Sequence, residues 1–141
     1  MSLVDQFKEF LEEAGVKVRT SSQGKYFRAT KDGIALVILA HESTKVGWWG
    51  ILKSQVDELK KDAEKPEYNL NGWGAVLLHK GPRMGYWIKG ENVLELIRLG
   101  LVSLSGQGQY LFADKVLEKK SGLASYFFSV KGFLKLSGLP E

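Results

Sequence analysis

The longest apolar run in the chain is GIALVILAHE, from Gly33 to Glu42. Its β-branched and aliphatic content predicts a central strand, with Ile34 to Ala40 buried on both faces. Ahead of it, Val4, Phe7, Leu11 and Ala14 recur at helical spacing. Ser2 and Asp5 form an approximate capping box at the start of that helix and Gly15 a stop at its end. Val16 to Thr20 alternates as a strand does, SSQG reads as a turn, and Lys25 to Thr30 alternates again. Asp32-Gly33, a pair suited to a type I′ turn, then leads into the central strand. Beyond Glu42, STKVGWWG reads as a loop or an irregular entry, and Ile51, Leu52, Val56, Leu59 and Ala63 mark one face of a second helix. KPEYNLNG, with Pro66 and Asn71-Gly72, is a connection. Trp73 to Lys80 and Met84 to Lys89 form a hairpin around Gly81-Pro82, and Asn92 caps a short helix ending at Gly100.

The first ninety residues therefore read αβββαββ. The helix between the central strand and Trp73 to Lys80 makes those two strands parallel neighbours. The expected fold is α/β, a mixed sheet of four or five strands flanked by helices, with a core over residues 3–90 and a C-terminal extension over 91–141 in one domain. From Leu101 onward the pattern supports more than one assignment, since SYFFSV suits a strand while Leu123, Phe127, Val130 and Leu134 fit a helix. Phe112, Phe127, Phe128 and Phe133 call for burial, either on the core or in a homodimer contact.

Composition narrows the functional classes. The 141 residues are 44% hydrophobic and 26% charged and contain no cysteine, which excludes thiolate zinc sites, disulfides and cysteine nucleophiles and fits a cytoplasmic setting. The acidic N-terminal segment does not match a signal peptide, and no apolar run reaches the ~20 residues of a membrane helix. The net charge of +4 permits a polyanionic partner. Lys17, Arg19, Lys25, Arg28 and Lys31 concentrate in the first hairpin region, whereas the first helix is net acidic. Trp87 and Tyr86, near Arg83, Lys80 and Lys89, can stack unpaired bases.

The element order, the apolar central strand and the amphipathic helix behind it resemble the PD-(D/E)XK restriction-endonuclease-like superfamily and, within it, the compact archaeal Holliday-junction resolvases. The resemblance covers about residues 3–89 and is one of topology. It implies a Mg2+- or Mn2+-dependent phosphodiesterase centre acting on DNA, built from an acid early in one core strand and a Glu-x-Lys at the end of the next. Glu42 falls near the glutamate position, but Thr44 stands where the lysine belongs and Lys45 follows one residue later, facing the opposite way in a strand. Asp32 lies ten residues from Glu42, about 33 Å of strand; the resemblance offers Glu9, Glu12 or Glu13 of the first helix as a second metal ligand instead, as in some resolvases. The resemblance also suggests that Gln55 on the second helix touches a ligand, whereas its default place by periodicity is a solvated helix face.

His41 and Glu42, adjacent in a strand, point to opposite faces and form no dyad. His79 can approach His41 across the sheet. GQG at 106–108 is a turn, and no Ser-His-Asp, Walker or zinc spacing is present. Two functional classes follow: a nucleic-acid-binding, nuclease-like domain whose metal centre is lost or altered, and a protein-interaction or small-ligand module that shares the topology.

Overall fold

The fold is described from a computed structural model, over residues 2–21, 26–43, 47–64, 72–120 and 122–141. Helix α1 (Leu3–Glu13) opens at Ser2, whose hydroxyl accepts the Asp5 N–H, and α1 buries Phe7 and Leu11. Strands β1 (Lys17–Thr20) and β2 (Phe27–Lys31) pair antiparallel, and β2 feeds β3 (Ile34–Glu42) through Asp32-Gly33. Both turn residues have positive φ, 49° and 83°, as a type I′ turn requires.

β3 is the strand that its apolar run predicts, with residues 35–39 buried and Ile34 and Ala40 at the ends of the run half-buried. Strand β5 (Trp73–Leu78) lies parallel to it and continues antiparallel into β6 (Gly85–Lys89), so Val37 sits opposite Trp73 and Glu42 opposite Leu78. Successive residues of β3 enter different cores. Val37 and Leu39 pack with Trp49, Ile51, Leu59, Leu77 and Phe112, whereas Leu36 and Ile38 pack with Phe7, Leu11, Val76, Leu78 and Phe133.

Three sequence expectations are corrected. GWWG is not a loop, nor are Ile51 and Leu52 the start of a helix: Trp48–Leu52 is strand β4, and helix α2 begins after it (Lys53–Glu64). Trp49 and Ile51 alternate into the core, and their two-residue period passes directly into the helical spacing of Val56 and Leu59. Helix α3 (Gly90–Arg98) begins before Asn92, with Lys89 at its N-cap position and no side-chain capping bond there. The main sheet has six strands, because the tail returns to it.

That tail forms β7 (Ser103–Leu104), β8 (Gln109–Ala113), the short helix α4 (Asp114–Leu117), β9 (Ser125–Phe127) and helix α5 (Val130–Ser137). The main sheet runs β1-β2-β3-β5-β6-β9, and a second sheet runs β4-β8-β7. SYF is thus strand and the following segment helix, with Ser129 capping α5 through the Gly132 N–H. Phe112, Phe127 and Phe133 pack into the cores as expected, but Phe128 is 75% exposed, on the side of β9 opposite Phe127. None of the described helices is long and apolar enough to cross a membrane.

The close approach of β5 and β6 depends on Gly74. A Cβ there would stand 2.2 Å from the Trp87 ring and 2.7 Å from the Ile88 carbonyl oxygen, and backbone cannot swing away. Gly74→Ala is expected to lower stability by about 1–3 kcal/mol or more. Gly106→Ala, with nothing within 4 Å of its Cβ, should stay within roughly 0.5 kcal/mol of wild type. Urea unfolding of both variants checks the pair.

Candidate functional site

The resemblance directs attention to the end of β3. There the Glu42 carboxylate accepts hydrogen bonds through Oε1 from the backbone N–H of Leu3, at 2.7 Å, and of Val4, at 3.3 Å. These are two of the donors that an α-helix leaves unpaired in its first turn, and a carboxylate there also meets the positive end of the helix dipole. At the other end of α1, Lys31 Nζ donates to the Ala14 carbonyl oxygen at 2.9 Å. The β2–β3 hairpin therefore places a negative group at the start of α1 and a positive one at its finish.

Glu12 lies nine residues along α1 from Leu3, about 13 Å of helix axis, so Glu42 at the N-terminus and Glu12 near the C-terminus cannot ligate one ion. Asp32 occupies the hairpin turn at the far end of β3. Among the described residues, no three His, Asp or Glu side chains converge as a divalent cation would require. The donor set at Glu42 does not fit the Mg2+ or Mn2+ centre of the resemblance. Lys45 lies outside the described residues, as does Lys25 of the basic group.

The remaining basic residues fall into separate places. Register puts Lys17 opposite Thr30, Arg19 opposite Arg28 and Arg28 opposite Val37, so Lys17, Arg19 and Arg28 share the face of the sheet that Val37 occupies. Lys17 and Arg19 are exposed and Arg28 is half-buried. Arg83, in the β5–β6 turn, lies with its guanidinium 4.2 Å from the centre of the Phe10 ring. Lys89 is exposed at the end of β6. Trp87 is only 4% exposed and packs edge-on to Phe133, so it supplies core rather than a surface for stacking.

His41 and Glu42 diverge as strand alternation dictates, with His41 on the α2 side. Burial lowers the His41 imidazole below its ordinary pKa, and the neighbouring Gln55 amide offsets part of that shift. Gln55 is itself buried, not on a solvated helix face. His41 Nε2 and Gln55 Oε1 lack hydrogen-bond partners among the described residues. His79 does not join them.

His79 belongs instead to a polar cluster that the sequence did not reveal. Its Nδ1 lies 3.3 Å from the Tyr126 hydroxyl and its Nε2 3.7 Å from Asp114 Oδ2, while the Tyr86 hydroxyl donates to Asp114 Oδ1. Trp49 packs edge-on to the His79 and Tyr86 rings, and its Nε1–H donates to the Leu78 carbonyl oxygen at 3.0 Å. Burial first, and then the Asp114 carboxylate, push the Tyr86 phenol well above its ordinary range; the same two causes raise Tyr126. Both phenols thus stay protonated at neutral pH, and Tyr86 serves as a donor to Asp114. The cluster ties the six-stranded sheet, through His79, Tyr86 and Tyr126, to the second sheet, through Trp49 and the Asp114 that follows β8. Asp114 is 28 residues from Tyr86, and no local spacing signals the pair.

Neither a protein-family model nor a curated protein matches the chain. A solved structure does: the 1.6 Å structure of Archaeoglobus fulgidus Hjc, a Holliday junction resolvase from an archaeal hyperthermophile, aligns with a TM-score of 0.58. The alignment covers 99% of this chain and 99% of that one, at 11% sequence identity. The fold is restriction-endonuclease-like. At that identity the likeness is one of fold, and it extends past residue 89 through the C-terminal extension.

If Glu42 is a helix cap, its loss should appear as instability. Glu42→Ala is expected to cost about 0.5–2 kcal/mol in urea unfolding, the range for losing a capping side chain. Glu12→Ala, at an exposed position late in the helix, should change stability by less than roughly 0.5 kcal/mol.

Proposed function

We propose that this chain is a nucleic-acid-binding domain of nuclease-like fold that holds DNA electrostatically and does not cut it efficiently through a two-carboxylate-plus-lysine metal centre. The observation that carries the second half is the Glu42 carboxylate bonded to the first two N–H groups of α1. A hard divalent cation held by one such oxygen donor set is weakly bound and poorly placed to activate water. Support for the first half comes from the likeness to a structure described as a Holliday junction resolvase, from the net charge of +4, and from the register that gathers Lys17, Arg19 and Arg28 on one sheet face. Cations aligned on a rigid sheet meet phosphates at fixed spacing and carry no base selectivity of their own. Binding in this reading needs no divalent metal, and four-way junction, duplex and single strand are all candidate forms.

Fluorescence anisotropy with labelled four-way-junction, duplex and single-stranded DNA over a salt series tests the reading, with the same substrates incubated in magnesium and in manganese. The expected result is affinity that falls steeply with salt, by a log–log slope of about −0.9 per neutralised phosphate of duplex. Joint Lys17→Glu and Arg19→Glu substitution should weaken binding by roughly tenfold or more and flatten that slope. Salt-insensitive binding, or none, contradicts the DNA assignment. Efficient cleavage that disappears in Glu42→Ala contradicts the assignment of Glu42.

A further inference from the structure

On the α1 side of the molecule, away from the basic sheet face, an open cleft of about 720 Å³ lies between α1, the β5–β6 turn and α5. Such a volume falls within the ~300–1,000 Å³ of small-ligand sites. Phe10 and Leu134 contribute apolar surface, and four charged residues line the cleft: Arg83 and Lys131, Glu13 and Glu141. Among the described residues these four charges form no ion pairs with one another or with any other side chain. Two charges of each sign around an apolar floor, none neutralised internally, suit a ligand that carries an anionic group and hydrogen-bond donors together.

Arg83 narrows that class. Its guanidinium lies over the face of the Phe10 ring, 4.2 Å from the ring centre, and both side chains line the cleft. A planar ring stacks well on a guanidinium face, and such planes are a recurrent platform for nucleobases. From these observations we infer that the cleft binds a nucleoside monophosphate unit. Its base extends the Phe10–Arg83 stack, its phosphate meets the Lys131 ammonium, and Glu13 or Glu141 accepts from an amino group of the base. The assignment uses none of the residues of the basic sheet face, so it stands or falls separately from DNA binding there. The unit can arrive as a free nucleotide or as the 5′-phosphorylated end of a single strand.

The test is a titration of the full chain, labelled with nitrogen-15 and followed by amide chemical shifts, using AMP, adenosine, inorganic phosphate and a short 5′-phosphorylated oligonucleotide. AMP should shift the amides of Phe10, Ala14, Val130 and Lys131 saturably, with adenosine and phosphate each weaker by roughly tenfold or more. Arg83→Gln removes the cation and the platform, and Phe10→Leu removes the lower ring while keeping the floor apolar. Both should weaken AMP by roughly tenfold while the remaining shifts keep their wild-type dispersion. An oligonucleotide that binds the cleft at least as tightly as AMP supports the inference and assigns the source to strand ends; one that binds more weakly supports it with free nucleotide as the source. Three results overturn it: no saturable cleft shifts at about 10 mM AMP, phosphate alone binding as tightly as AMP, or wild-type affinity in both folded variants.

Discussion

Helix α1 is held against the sheet by opposite charges at its two ends, and much of the molecule follows from that clamp. Glu42 ends β3 and Lys31 ends β2, so both come from one hairpin whose turn is fixed by Asp32 and Gly33. Each meets backbone groups that the helix cannot satisfy internally, with the charge sign that the helix dipole favours at that end. With the helix seated in this way, Phe7 reaches Phe27, Phe127 and Phe133 in a cluster of rings 5.2–6.5 Å apart, and the core on that side of the sheet closes around them.

β3 supplies the other constraint. Because it is paired on both edges and buried on both faces, neighbouring residues must serve different cores, and no two consecutive side chains can cooperate in one site. His41 and Glu42 show the consequence, one facing Gln55 and α2 and the other capping α1. The carboxylate that ends this strand thus performs a structural task, closing the first turn of α1. What maintains the fold is the alternation and the clamp, and neither requires an ion.

The parts of this structure legible in the sequence are those in which one period dominates. The run from Ile34 to Ala40 is long, apolar and bounded by a turn pair, and α1 carries both its cap and its stop, so both were readable, as was the parallel partner Trp73–Leu78. Strand β4 was not, because Trp49 and Ile51 at spacing two are followed at once by Val56 and Leu59 at helical spacing, and the boundary residues satisfy either pattern. The tail resisted assignment for a different reason: its strands are two to five residues long and are fixed by partners remote in sequence. The site divided in the same way. That His41 and Glu42 face apart follows from alternation alone, whereas the contact of Asp114 with Tyr86 and His79 depends on the docking of two sheets, and the burial of Trp87 depends on α5 covering it.

The central claim is that the Glu42 carboxylate is committed to α1 rather than available to a metal. Titrating manganese into the protein and following the electron paramagnetic resonance signal of the free ion measures this directly, in the wild type and in Glu42→Gln. The account predicts that both proteins leave the free-ion signal undiminished at stoichiometric metal. A bound manganese ion in the wild type that is lost in Glu42→Gln would contradict it.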